Sequence, residues 1–542
     1  MGNTPRTVAV AAVALTSIFV LLPAGRSPSG APSGLLADTP WPKYRGNLHA
    51  TGRSPHAGPQ TSSRKWTFFS GRTGEHGGIE TDPVIGPDGT VYFGGNNGIL
   101  YGLDRDTGDI RWVFPTAFDT YAIYSTPFVD REGLVYFGAK DGRIYALRPP
   151  RQGIVAEVVW SYDLGTTIQT SPTFTPDGTL VIGADDWAYY GITPPRNGNP
   201  PTVTWRFQTQ GTLITSPTVD AAGTVFVASM DGTIYALEPP RDAGQPVRVR
   251  WRFHSGRRDA EGGFENAAAL DGAGGLYMGG NDGILYALDT ATGAVRWTFD
   301  GVARAGYRSY AIFSSVALGS DGTVYFAGKD GVLYAIQERR DLLGRRRAEV
   351  RWRYRLGAGV QSSPLLAADG TVYIADERGT IHAVRPPGAG EWAKPVWTVG
   401  TGGTVISSPA LDADGTLYTA SMDGRAYAFH ERTRADSRQG PLTGTWYGTY
   451  RDPAHTGPVT LVLVQRGEQM QGVWRVQGAA WGSLDGKMAD RRGTGTFAIT
   501  SVAKECPGRG EGRVTVDKNR LVGEYQGRDC RGQITGTFDV ER

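Results

Sequence analysis

Cysteine is nearly missing from this 542-residue chain: Cys506 and Cys530 are the only two. That excludes a disulfide-built scaffold and a cysteine-ligated metal cluster. If the chain is exported, the two are expected to form one disulfide, worth about 3 kcal/mol in the chain-entropy account. Histidine is scarce at seven residues, and no pair of them has zinc-ligand spacing; His254, His382, His430 and His455 stand alone. No Gly-Lys-Ser or Gly-Lys-Thr loop is present to cradle a phosphate. An excess of one charge is lacking too, with 56 basic residues against 53 acidic ones and a net charge of +3, so no nucleic-acid partner is expected. The densest basic run, Arg339-Arg340 with Arg345-Arg346-Arg347, reads as a solvated hairpin loop.

Long apolar runs are also absent, apart from Val8 to Leu22 behind Arg6. That run is short for a membrane span and suits the core of a signal peptide. No cysteine follows it, which argues against a lipoprotein anchor. Residues 1–24 are therefore read as a signal peptide or N-terminal anchor, and 25–60 as linker and lead-in. Export to a periplasmic or extracellular space follows, with membrane association expected through the N-terminal segment only.

What the chain has in abundance is glycine, 77 residues, together with aromatics. Many of the glycines fall in a unit repeated eight times across residues 61–434: Ser-Pro-x-apolar, then Asp-Gly-Thr-apolar-Tyr, then Asp-Gly-x-apolar-Tyr-Ala-Leu, then Trp-x-aromatic. Asp-Gly and Asn-Gly suit tight hairpin turns. Each unit thus reads as a four-stranded meander, and a ring of such sheets buries faces that one sheet leaves bare. Only the third repeat breaks the second turn, with Asp186-Trp187. Outer strands carry Trp112, Trp160, Trp205, Trp251, Trp297, Trp352 and Trp397, seven for eight repeats. The eighth is supplied by Trp66 in Arg64–Phe69, so the N-terminal strand is predicted to complete the last blade and close the ring. The expected fold is all-β: an eight-bladed propeller followed by a small barrel or sandwich.

The repeats pair off one-to-five, two-to-six and four-to-eight, as in Gly94–Tyr101 against Gly279–Tyr286, which implies two similar four-blade halves. Segments leading into the innermost strands are expected at the channel mouth. They hold the matched pairs Arg72/Arg257, Glu80/Glu265, Phe118/Tyr307 and Tyr121/Tyr310, with Gln169 and Gln361 adding polar groups. Such a rim has the chemistry to hold a ligand: arginines for an anion, aromatics for stacking, carboxylates for a cation. Equally, Arg and Glu can pair within a glycine-rich loop and fix its shape. Serines such as Ser216 recur in nearly every repeat, which argues against a nucleophile.

Gly102–Trp112 and Ala287–Trp297, each with Leu-Asp, Thr-Gly and a terminal Trp, resemble the tryptophan-docking motif of quinoprotein propellers. Trp41-Pro-Lys-Tyr-Arg-Gly-Asn resembles the lead-in of bacterial proteins with these repeats. The resemblance covers roughly residues 41–432. For the enzymes of this type it implies pyrroloquinoline quinone (PQQ) and calcium at the axis and oxidation of alcohols or sugars, with Glu80 or Glu265 as metal ligands and Asp82 and Asn266 nearby. The adjacent cysteine pair of many such enzymes is missing, as are long insertions above the ring. Similar non-enzymatic propellers are periplasmic scaffolds, such as the lipoprotein of the outer-membrane β-barrel assembly machinery. The reading adopted is an exported, non-catalytic binding or scaffold propeller without cofactor or metal, whose partner is a protein, glycan or cell-envelope component. A PQQ-dependent dehydrogenase is the alternative.

Past residue 440 the pattern changes. Residues 441–542 show short alternating strands, starting with Leu442-Thr-Gly-Thr-Trp-Tyr-Gly, which resembles the first strand of lipocalin- or avidin-like barrels. A barrel of about eight strands has room for one small ligand, a second alternative for function.

Overall fold

A computed structural model of the chain describes residues 35–116, 122–196, 198–240, 242–256, 262–302, 311–388, 391–431, 439–453, 455–476, 480–488, 494–501, 508–529 and 532–542. Residues 1–34, Cys506 and Cys530 lie outside this set, and so do the signal-peptide and disulfide readings.

Eight four-stranded antiparallel sheets form the propeller. Blades 1 to 7 span 84–115, 128–163, 173–208, 218–254, 269–299, 317–355 and 365–400. Blade 8 takes three strands from 410–429 and its outer strand from Arg64–Phe69, which pairs antiparallel with Arg425–Phe429. The ring closes as the repeat count requires.

Each outer-strand tryptophan sits opposite a residue with little or no side chain. Trp66 faces Ala428, Trp112 Gly102, Trp160 Ala146, Trp205 Gly191, Trp251 Ala236, Trp297 Ala287, Trp352 Ala335 and Trp397 Ala383. The indole lies down over that gap: a Cβ placed on Gly191 would come within 2.0 Å of the Trp205 ring. Beside every one of these pairs the register slips by a β-bulge, which turns the outer strand and its ring toward the next blade. Trp66 then donates to the Arg105 carbonyl of blade 1 at 2.9 Å, and Trp251 to Thr290 of blade 5 at 2.8 Å. Burying an aromatic of this size contributes about 2–3 kcal/mol, so these rings bind neighbouring blades together.

The Asp-Gly-x-apolar-Tyr motif has an equally local cause. The turn aspartate accepts the hydroxyl of the tyrosine four residues on, as in Asp141/Tyr145 and Asp330/Tyr334 at 2.5 Å, and Asp282/Tyr286 at 2.6 Å. In blade 7 His382 stands at the tyrosine position, bridging Asp376 and Tyr354 at 3.2 and 3.0 Å.

Around the axis the recurring Ser-Pro positions make a belt. The backbone N–H of Asp82 donates to Thr126, Thr126 to Ser171 and Ser171 to Ser216; Ala267 donates to Ser315, Ser315 to Ser363 and Ser363 to Ser408, at 2.9–3.0 Å each. Ser408 closes the circle on the Asp82 carboxylate at 2.6 Å. One junction lacks a hydroxyl, between Ser216 and Ala267. The repeated serines thus hold inner strands together.

From Leu35 the lead-in is pinned to the ring. It exchanges backbone hydrogen bonds with Val129 of blade 2 and Ile85 of blade 1, then with Leu270, Leu318 and Leu366 of blades 5, 6 and 7. It therefore crosses the axis on the face of the Asp-Gly turns between first and second strands. Trp41, Lys43 and Arg45 are buried there. Arg45 Nη2 donates to the carbonyls of Val316 and Pro364 at 3.2 and 2.6 Å, and Tyr44 hydrogen-bonds Ser315 of the belt at 2.9 Å.

The C-terminal domain is a closed eight-stranded antiparallel barrel, Gly444–Arg451 pairing with Gly532–Glu541. Its fourth strand, Ala480–Met488, has the weakest sequence signal, because Gly482 and Gly486 interrupt the apolar alternation. The barrel packs over the seam between blades 8 and 1. Arg475 is buried and donates to the carbonyls of Asn97 and Gly98 at 2.6 and 3.3 Å. Tyr447 receives the Asn97 amide at 2.9 Å, and Val462, Val464 and Val473 join the propeller core around Trp66 and Tyr101.

Candidate functional site: the propeller mouth

The face opposite the lead-in is built from two residues of each blade, sixteen positions apart. One precedes the innermost strand; its companion stands at the turn between second and third strands. In order they are Glu80 and Asn96, Tyr124 and Lys140, Gln169 and Asp185, Ile214 and Met230, then Glu265 and Asn281, Phe313 and Lys329, Gln361 and Glu377, Ile406 and Met422. The second four repeat the first four in chemistry, so like residues stand across the axis from each other.

Most pairs are joined directly. Asn96 donates to Glu80 at 2.6 Å and Asn281 to Glu265 at 2.8 Å. Gln169 donates to Asp185 at 3.0 Å and Gln361 to Glu377 at 2.7 Å. Lys140 Nζ lies 5.0 Å from the Tyr124 ring centre and Lys329 Nζ 4.9 Å from that of Phe313; Lys329 is also ion-paired with Glu377. Asn96 and Asn281 reach across to the sulfurs of Met422 and Met230 at 4.0 and 3.8 Å. Burial raises the Glu80 and Glu265 carboxyls above the usual carboxylate range, against the lowering pull of the asparagine bonds and of Lys140 and Lys329.

Of the residues expected at the rim, Glu80, Gln169, Glu265 and Gln361 are brought together here. Arg72 is not part of this array: its guanidinium lies 3.8 Å from the Tyr447 ring centre, in the contact with the barrel. Phe118, Tyr121, Arg257, Tyr307 and Tyr310 lie outside the described residues. The sequence reading passes over the companions Asn96, Lys140, Asp185 and Met230; the signal that would have found them is the constant sixteen-residue spacing.

One residue breaks the two-fold pattern. At the turn between second and third strands, seven blades place glycine at positive φ: Gly98, Gly142, Gly232, Gly283, Gly331, Gly379 and Gly424. Blade 3 places Trp187 there, at φ 64°, with the side chain 46% exposed. An aromatic residue in this left-handed region is strained by about 1 kcal/mol. Gln208 and Thr209 donate to its carbonyl at 3.0 and 2.8 Å and hold the turn in place. The same connecting segment leads to Ile214, 40% exposed.

The mouth holds four carboxylate–amide pairs, and among the described residues no three Asp, Glu, His or Cys gather to hold a metal. Among the described rings, Tyr124 and Phe313 each face a lysine, and Trp187 stands exposed.

The barrel has a cavity of about 960 Å³, ringed by its last five strands and the Arg451–Pro453 segment, with Phe497 and Tyr525 on its wall.

The fold is a tryptophan-docked, eight-bladed propeller. The family model described as outer membrane protein assembly factor BamB matches residues 155–386. BamB from Moraxella catarrhalis superposes with a TM-score of 0.50 at 15% identity, over 68% of this chain and 99% of that one. Quinohemoprotein alcohol dehydrogenase from Comamonas testosteroni gives 0.54 at 15% identity, over 74% and 82%. Chaetomium thermophilum Sqt1, solved bound to the N-terminus of ribosomal protein L10, gives 0.52 at 17% identity, over 68% and 100%. At these identities the likeness is one of fold. No curated protein sequence matches the chain. The chain is an eight-bladed β-propeller whose residues 155–386 match that family model.

Proposed function

We propose that this protein is an exported, non-catalytic binding propeller that holds a segment of a partner protein at its mouth. The observation that carries the reading is Trp187: an exposed aromatic kept at a strained backbone position where every sister blade has glycine. Buried-on-binding tryptophans are the commonest energetic anchors of interfaces. Around it the mouth offers methionine and isoleucine for apolar contact and four carboxylates against two lysines, a balance that suits a basic segment. The lead-in crosses the axis on the other face, and the barrel sits at one side of the mouth, over the Asn97-Gly98 turn of blade 1. A neighbour of this fold, Sqt1, was solved bound to a protein N-terminus, and the apolar run at Val8–Leu22 supports export.

Photo-crosslinking tests this. A crosslinking amino acid at position 214 in the producing cells is expected to yield one discrete protein adduct, and one at Glu349 on a peripheral strand none. No adduct from position 214 would overturn the reading. Stoichiometric PQQ binding in the presence of calcium would favour the dehydrogenase instead.

A further inference from the structure

The basic run Arg339–Arg347 does form a hairpin, but its tip is not polar. In blade 6 the third and fourth strands, Val332–Arg340 and Arg346–Arg355, extend past the body of the sheet and pair as far as Arg340 with Arg346. Leu342 and Leu343 form the tip at 105% and 76% exposure, touching nothing that would account for them. Solvated turns are made of Gly, Asn, Asp and Ser; two adjacent leucines in water are a cost without a partner. Five arginines flank the tip, against Glu338, Asp341 and Glu349. Asp341 turns both its oxygens to the hairpin itself, receiving Leu343 and Arg345 N–H at 2.9 Å and the Arg345 guanidinium at 2.8 Å. The tip is thereby held in shape with the leucines outermost.

Its direction matters. The third strand of every blade runs away from the mouth, so this hairpin projects from the lead-in face, at the edge of the ring. Leu35, the first residue described, receives the Arg131 N–H at 3.0 Å on that same face, at the first turn of blade 2. The chain that carries the apolar run Val8–Leu22 therefore enters the ring on the side where the two leucines protrude.

We propose that the Leu342-Leu343 tip inserts into an anionic phospholipid surface, with Arg339, Arg340, Arg345 and Arg347 against the headgroups. An apolar tip ringed by arginine is the chemistry of interfacial insertion, leucine entering the acyl boundary and cations meeting anionic lipid. It gives the propeller a membrane contact besides the N-terminal segment and turns the mouth away from the bilayer.

The test uses the full chain with Cys506 and Cys530 replaced by serine. An environment-sensitive dye is attached at Leu343→Cys or, as a control on the mouth face, at Gln210→Cys. Vesicles are either phosphatidylcholine alone or equal parts phosphatidylcholine and phosphatidylglycerol, with a quencher on the acyl chain. The dye at 343 is expected to shift blue and be quenched by the anionic vesicles alone, with the dye at 210 unaffected. Adding Arg345→Gln and Arg347→Gln is expected to weaken the response about thirtyfold. No quenching at 343, or equal quenching at 343 and 210, would overturn the proposal whatever the N-terminal segment does; equal quenching by neutral vesicles would overturn the role of the arginines.

Discussion

Single residues carry the contrast between stability and use in this molecule. Replacing Trp187 by glycine restores the residue that seven sister turns use at this φ. The variant is expected to be more stable by about 1 kcal/mol, read from chemical denaturation, and to lose the position-214 crosslink. A loss of stability would show that the indole is structural. Asp82 offers a second test. Burial pushes its carboxyl up to about 7, although Ser408 and Arg45 pull it down. A folded-state pKa above the unfolded value means the native state keeps its proton longer, so this group's contribution to stability falls as pH rises from about 4 to 7. Thermal scans across that range should show the fall in the native protein and a flatter profile in Asp82→Asn, the difference approaching roughly 2–4 kcal/mol. Lys43 works in the opposite direction. Burial lowers its ammonium to about 7, so its penalty is relieved between about pH 7 and 10.

At the scale of elements, the repeat explains itself through two devices, the indole over a small residue and the hydroxyl belt. The belt has one gap, where Ser216 N–H faces Ala267. Ala267→Ser supplies the missing acceptor with the residue type used at its equivalents in blades 3, 4, 6, 7 and 8. It is expected to raise stability by about 1 kcal/mol in urea titration. No gain would mean that the two blades are spaced differently at this junction. The sixteen-residue pairing is an element-scale feature too: each blade contributes one residue from a connecting segment and one from a turn, and the first two strands with the turn between them set their separation.

At the scale of the whole molecule, the barrel acts as a clamp on the seam where the N-terminal strand completes blade 8. A strand held only by its sheet is the natural opening point of a closed ring, and Arg475, Tyr447 and three valines lie across it. Arg475→Ala removes charged donors from buried carbonyls and is expected to cost about 2–4 kcal/mol. Hydrogen exchange should quicken first in Arg64–Phe69; unchanged exchange there would mean that the barrel is only attached. The two faces also divide the work. The lead-in crosses one, with the arginine-flanked hairpin at its edge, and the other bears the two-fold mouth.

Blade count, ring closure by Trp66 and the two four-blade halves were determined by the sequence alone, because turns, bulges and indole contacts act over a few residues and recur eight times; for the C-terminal domain the sequence determined short strands, and the structure decided for a closed barrel over a sandwich. Glu80, Glu265, Gln169 and Gln361 were legible as rim residues for the same reason. Only the tertiary structure decided the rest. Arg72 went to the barrel contact because two domains meet there, which no repeat encodes. The fourth barrel strand has the weakest sequence signal because Gly482 and Gly486 serve the barrel's curvature rather than an apolar pattern. Asp186-Trp187 was visible as a broken turn, yet its meaning depended on the backbone angle and exposure that the ring imposes. The arginine run reads as a solvated hairpin loop from sequence, whereas the outward reach of its two leucines comes from hairpin length and strand direction, which only the assembled blade sets.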